Sequence, residues 1–189
     1  MSEGMFHRID PRPVLRNAFS RLVDYPHELF AKQYLRDLGL SWDTIRGKKI
    51  LDLCSGSGEL GYIAAKKGIE VVSLDNGTQN WKRVRQFSKP VPNEIIGDVD
   101  NLTSFPDSSY DLVITHDAIH YLGDLSLLIA NVRRILKEKG EFRFNVRTNN
   151  KQGDHIEKFF TLSKEPNESD QQIIKEVVSL YENYARPFE

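Results

Sequence analysis

Three aspartates, Asp52, Asp75 and Asp98, each stand where an apolar run gives way to a turn. The first precedes the glycine-rich segment Cys54-Ser-Gly-Ser-Gly-Glu-Leu-Gly61, which satisfies the pattern G-x-G-x-x-G at Gly56, Gly58 and Gly61. Glycines at such a turn let bare backbone approach a ligand at the carboxyl end of a strand. The pattern alone is also that of a dinucleotide site. The acids argue the other way: Asp52 and Glu59 would repel a diphosphate and attract a cation. No basic partner for a phosphate stands nearby. The chemistry expected is recognition of a positively charged nucleoside, with Asp75, 17 residues beyond Gly58, at the distance of a ribose-binding acid. A carboxylate can accept from both ribose hydroxyls. Asp75 is otherwise a turn former with Asn76-Gly77.

These residues need a scaffold, and the chain supplies one by alternation. Strands are expected at 49–53, 70–74, 93–96, 110–115 and 141–147, with helices at 58–67, 78–87 and 124–138 between them. The last helix presents Leu125, Leu128, Ile129, Val132, Ile135 and Leu136 on one face, and Lys137, Lys139 and Gly140 serve as its stop signals. Residues 11–40 read as two helices, the first striped by Val14, Leu15, Phe19 and Leu22. The second, about 26–38, carries Leu29, Phe30, Tyr34 and Leu35 and is stopped by Gly39. Beyond 147 a polar loop (148–155), a segment of either type (156–162) and a helix (169–184) are expected. Tyr181, Tyr184 and Phe188 are candidates to pack on the sheet.

The order of motifs resembles the class I S-adenosylmethionine (SAM)-dependent methyltransferase family over about 100 of the 189 residues. Its first motif is similar to Ile50-Leu-Asp-Leu-Cys-Ser-Gly-Ser-Gly58, with Cys54 where the family usually has glycine. Val71-Val-Ser-Leu-Asp-Asn76 resembles the second strand and its ribose acid, and Gly97-Asp-Val-Asp-Asn-Leu102 the adenine loop. Phe105 to Leu122 resembles the fourth strand and following turn, and Leu136 to Asn145 the fifth strand. The resemblance implies a doubly wound, mostly parallel, Rossmann-like α/β sheet in one domain. Residues 1–47 form a helical cap, 48–147 the SAM-binding core and 148–189 a shortened C-terminal segment. It implies SAM as cofactor, held by Asp52, Cys54, Ser55, Gly56, Gly58, Asp75, Asn76, Asp98, Val99 and His116. The family's closing antiparallel strand pair is not evident here.

Methyl transfer from a sulfonium needs chiefly orientation, and a hydroxyl acceptor also needs a base. His120 is the expected base, and His116 a cofactor-side contact. Their spacing could hold a metal, but no third ligand is legible nearby, so no metal is assigned. Asp154-His155-x-Glu157 reads as solvated. Tyr121 and Arg147 could border the substrate; Phe19, Tyr25 and Phe30 read more readily as core. Cys54 has no base beside it and reads as packing.

Composition narrows the partners. Net charge is −1, and the first 50 residues hold nine Lys/Arg against six Asp/Glu, too little for a nucleic-acid surface. The turn Thr115-His-Asp-Ala118 lacks the Pro-Pro-aromatic signature of amino-methylating DNA enzymes. No Pro-Cys nucleophile of cytosine enzymes is present. A small-molecule acceptor is therefore expected. A lone cysteine, no secretory leader and no membrane-length apolar run suggest a cytoplasmic protein. A non-catalytic SAM-binding module is the alternative.

Overall fold

The computed structural model describes residues 12–77, 90–119, 122–149 and 155–182. Helix α1 runs Arg12–Asp37, followed by the short α2, Trp42–Ile45. Then come β1 (Ile50–Leu53), α3 (Glu59–Lys66), β2 (Val71–Asp75), β3 (Glu94–Ile96) and β4 (Tyr110–Thr115). The chain continues through α4 (Leu125–Ile135), β5 (Leu136–Asn149), β6 (His155–Ser163) and α5 (Glu168–Glu182). The expected helix at 78–87 lies outside the described residues.

Six strands form one sheet in the order β3-β2-β1-β4-β5-β6. The first five are parallel and β6 is antiparallel to β5. The winding moves outward from β1 to β3, then returns to the other side of β1. The carboxyl ends of β1 and β4 thus form the switch point where open α/β sheets bind ligands. Alternation along the strands divides the core. Leu51, Leu53, Val113, Phe142, Phe144 and Val146 pack with Leu128, Ile129, Val132 and Ile135 of α4 and Val177 of α5. Ile50, Leu112 and Ile114 face the opposite layer, with Ala31, Tyr34, Leu35 and Leu38 of α1 and Leu60 and Ile63 of α3.

Four expectations are corrected. Residues 12–37 form one helix rather than two, with Pro26 inside it. A proline removes one backbone hydrogen bond, while the buried stripe Ala31, Tyr34, Leu35 and Leu38 holds the turns after it. Gly39 does end the helix, at φ +66°, with Leu40 N–H donating to the Leu35 carbonyl and Gly39 N–H to that of Arg36. Second, that stripe leaves Tyr25, Leu29 and Phe30 exposed, so they are not core.

Third, α4 stops at Ile135 and residues 136–140 already belong to β5. Leu136 turns to extended backbone and pairs with Tyr110 across a bulge. Gly140 is forced by this bulge: a Cβ there would lie 2.9 Å from the Lys137 carbonyl oxygen and 3.1 Å from that of Tyr110. Backbone cannot yield as a side chain can. Gly140→Ala is expected to cost about 2 kcal/mol and lower Tm by roughly 5 °C. A wild-type melting curve would contradict it.

Fourth, the expected polar loop at 148–155 is shorter, since β5 runs to Asn149 and β6 begins at His155; the segment left open at 156–162 is strand. Segment 155–163 is strand, paired with β5 from Glu141↔Ser163 to Asn149↔His155. Alternation explains it: Phe160 and Leu162 face the core as Phe142 and Phe144 do. Glu157, Phe159 and Thr161 take the other face.

Candidate functional site at the switch point

The glycine-rich loop begins where β1 ends. Cys54, Gly56 and Gly58 all take positive φ, at 56°, 58° and 81°. This left-handed conformation accounts for the glycine usual at Cys54 in sequences of this type. Gly61 serves packing instead, since a Cβ there would collide with Ser73 Oγ on β2. A Cβ on Gly56, by contrast, would meet nothing within 4 Å. Beside it the Ser55 hydroxyl is buried without a hydrogen-bond partner. An open loop surface with an unsatisfied buried donor fits a polar ligand lying along the backbone.

Asp52 is 1% exposed at the end of β1, and Tyr34 of α1 donates its hydroxyl to Asp52 Oδ1 at 2.5 Å. Burial pushes the Asp52 carboxyl up to about 7; the Tyr34 hydrogen bond opposes this, while Asp75 and Glu59 add to it. Burial, with Asp75 and Asp52 adding, pushes the Cys54 thiol up to about 12. Such a thiol is no nucleophile at neutral pH.

Asp75 ties the loop to β2. Its Oδ2 accepts from the Gly56 amide at 2.9 Å and its Oδ1 from the Gly77 amide at 2.8 Å. The turn-forming reading is therefore realised, with both carboxylate oxygens accepting backbone amides. Asp98 is exposed and accepts from the Asp100 amide at 3.0 Å, while Val99 is buried in the core. Asp52, Cys54 and Asp75 are thus gathered, whereas Asp98 sits on the rim beyond β3. Asn76 is exposed next to Asp75.

His116 follows β4. Its Nε2 lies 3.4 Å from Asp37 Oδ2 and its Nδ1 3.6 Å from Asp117 Oδ2, and its ring meets Tyr34 edge-on at 4.7 Å. His120 and Tyr121 lie outside the described residues, as do Tyr184 and Phe188. The side chains of Phe19 and Tyr181 are likewise not described.

Sequence reasoning missed a polar network beside His116. Asn145, 1% exposed on β5, donates its amide to Asp117 Oδ1 at 2.6 Å and to Glu157 Oε1 at 2.8 Å. Its Oδ1 accepts from the Asp117 amide at 2.6 Å. Arg147 bridges the same carboxylates, 2.6 Å from Asp117 and 3.3 Å from Glu157. Glu157 is therefore not solvated, and these hydrogen bonds and Arg147 outweigh its burial and hold its carboxyl below the usual range. His116, Asp117 and Glu157 lie close enough to share a cation, but the Arg147 guanidinium already bridges the two acids. The readable signal was Asn145, a polar residue interrupting Phe144 and Val146.

A cavity of about 570 Å³ adjoins this network, bordered by Arg36, Asp37, Arg143, Glu157 and Phe159. Another, of about 450 Å³ around Lys49, Glu70, Asn93 and Tyr110, lies at the amino ends of the strands, away from the switch point.

Residues 51–144, about half of the chain, match the family described as "Methyltransferase domain". The chain belongs to the class I SAM-dependent methyltransferase family. An uncharacterized methyltransferase of Synechocystis sp. is 32% identical over 117 residues, 61% of this chain and 52% of that protein. The ubiquinone biosynthesis O-methyltransferase of Proteus mirabilis is 29% identical over 58% of this chain and 46% of its own. A SAM-dependent methyltransferase of Archaeoglobus fulgidus shares the fold at 17% identity, with TM-score 0.52 over 87% of this chain and 72% of that one. This methyltransferase-family chain spans about half the length of the curated relatives it matches. Among its described residues, no helix is long and apolar enough to cross a membrane.

Proposed function

We propose that this chain transfers a methyl group from SAM to a small-molecule acceptor. The observation that carries the reading is the glycine loop: open above Gly56, with an unsatisfied Ser55 hydroxyl and Asp52 and Asp75 at its flanks. In this reading Asp52 holds the ammonium, a charge-assisted contact. Asp75 accepts from the ribose, and Asp98 with the Val99 amide meets the adenine. Ser55, Gly56, Gly58 and Cys54 supply the loop surface, with Asn76 at the ribose edge and His116 at the methyl side. When bound, the cofactor supplies a methyl group already activated by the sulfonium. The protein's task is then to hold the acceptor in line and keep water out. We assign the cavity beside Asp37 and Glu157 to the acceptor and, for a hydroxyl acceptor, His120 as base. The small-molecule class is supported by the quinone-pathway relative named above and by a net charge of −1. A single cysteine supports a reducing cytoplasm as the place of action.

Thermal shift with SAM, S-adenosylhomocysteine and NAD tests the cofactor. A ligand at 100 times its Kd stabilises by about 2.7 kcal/mol, or roughly 5–10 °C for a chain of this size. Either adenosyl ligand should produce it and NAD should not; the reverse pattern defeats the reading. Among the described residues one strand is antiparallel, where the family usually has a pair, and this favours a second reading, a SAM-binding module without turnover. Formation of S-adenosylhomocysteine with an acceptor separates the two.

A further inference from the structure

We propose that Tyr34 is a positioning residue for the cofactor: its hydroxyl orients Asp52 for an ammonium and makes docking of α1 part of ligand binding. The inference rests on the SAM reading above. Asp52 offers two carboxylate oxygens. Tyr34 takes Oδ1, and Oδ2 is the oxygen assigned to the ligand. Tyr34 reaches Asp52 from α1, 18 residues earlier in sequence. Its ring cannot drift, because it lies between Asp52 and the edge of His116. One helical turn on, Asp37 of the same helix meets His116 Nε2. Just beyond, Arg143 donates to the carbonyls of Leu38 and Gly39 at 3.1 and 3.2 Å, pinning the end of α1 to β5. A single helix end therefore covers the terminal groups of both switch-point strands.

The charges around Asp52 explain why such a donor is needed. Burial opposes ionisation of Asp52, Asp75 on β2 and Glu59 on α3 add to that, and Cys54 follows in the loop. On the β4 side, His116 stands beyond the Tyr34 ring with Asp37 and Asp117 around it. Among the groups acting on Asp52, the Tyr34 hydroxyl is the one that favours the carboxylate. Without it Asp52 would hold its proton to higher pH and lose affinity for a cation.

The experiment measures S-adenosylhomocysteine affinity by calorimetry at pH 6, 7 and 8 on the full chain, wild type against Tyr34→Phe. The ligand's own titration is common to both and cancels in their ratio. The expected defect is roughly tenfold at pH 6 and shrinks to about twofold at pH 8, as a one-unit rise in the Asp52 midpoint requires. A defect equal at all three pH values, or none, overturns the proposal while leaving SAM binding intact. No binding by either protein defeats the SAM reading itself. The carboxyl ¹³C titration of Asp52 without ligand is independent of that reading: its midpoint should rise in Tyr34→Phe, and an unmoved midpoint overturns the proposal. Should that variant not fold, 3-fluorotyrosine incorporation, which keeps the hydroxyl and strengthens it as a donor, should lower the midpoint instead.

Discussion

Asp52→Asn is expected to make the protein more stable and worse at binding its cofactor, both most clearly at pH 8. The two effects share one cause. Burial raises the Asp52 carboxyl from 3.8 to about 7, with Asp75 and Glu59 contributing. A group whose folded value is raised favours the folded state only while protonated. The handicap is absent below the unfolded value near pH 4, grows as pH climbs, and is complete above about 7. The difference corresponds to roughly 4 kcal/mol at full ionisation. Asparagine keeps the shape and an oxygen for the Tyr34 hydroxyl without the charge. Its Tm should therefore exceed wild type by roughly 10 °C at pH 8, with the gap narrowing toward pH 5. Affinity for S-adenosylhomocysteine should fall roughly 30-fold at pH 8, the scale of a lost hydrogen bond to a charged group. Scanning calorimetry and titration on the same preparation check both. A less stable variant, or an unchanged affinity, would remove Asp52 from its assigned role. A buried acid kept at a cost to stability is what a binding site requires and a structural acid does not.

What the sequence disclosed and what it concealed follow from the range of the contacts. Strands β1, β2 and β4 were readable because each is an apolar run closed by a turn, and Asp52 and Asp75 because they stand at those closures. Tyr34 gave no such sign. A tyrosine at helical spacing with Ala31, Leu35 and Leu38 looks like core, and most of its ring is core. Only the packing of α1 on the sheet brings its hydroxyl to Asp52. The start of β5 was hidden for a different reason: Leu136 continues the apolar stripe of α4 and suits a strand equally. β6 alternates at Phe160 and Leu162, yet its other face mixes Glu157, Phe159 and Thr161, so 156–162 read equally as helix or strand until paired with Arg147, Asn145 and Arg143. Register set Arg147 opposite Glu157 and so joined them with Asn145 and Asp117 in one network.

That network carries the second large prediction. Asn145→Asp changes almost no volume but replaces an amide that donates to two carboxylates by a third carboxylate. The new oxygen would face Asp117 Oδ1 and Glu157 Oε1, at positions where the amide nitrogen now sits 2.6 and 2.8 Å away. Among the described residues Arg147 bridges them, and its guanidinium is already shared. Asn145 itself is 1% exposed, while the Asp117 and Glu157 side chains are 30% and 26% exposed, so water screens the repulsion only in part. A cost of about 3 kcal/mol at pH 8 is expected, the low end of the range for a buried charge left without its partner, because Arg147 and partial exposure soften it. The sign with pH is opposite to that of Asp52→Asn. The introduced acid is held above its unfolded value by its neighbours, so the penalty is full at neutral pH and fades as the pH falls toward 4. Denaturant midpoints at pH 5 and pH 8 check this: the loss relative to wild type should be several-fold larger at pH 8. Asn145→Ala separates charge from hydrogen bonding, since it removes the donor without adding an anion and should show a loss nearly independent of pH. If Asn145→Asp matched Asn145→Ala at both values, Asp117 and Glu157 would not face the substituted oxygen. His116, held between Asp117 and Asp37, would then lack the rigid support that the network provides.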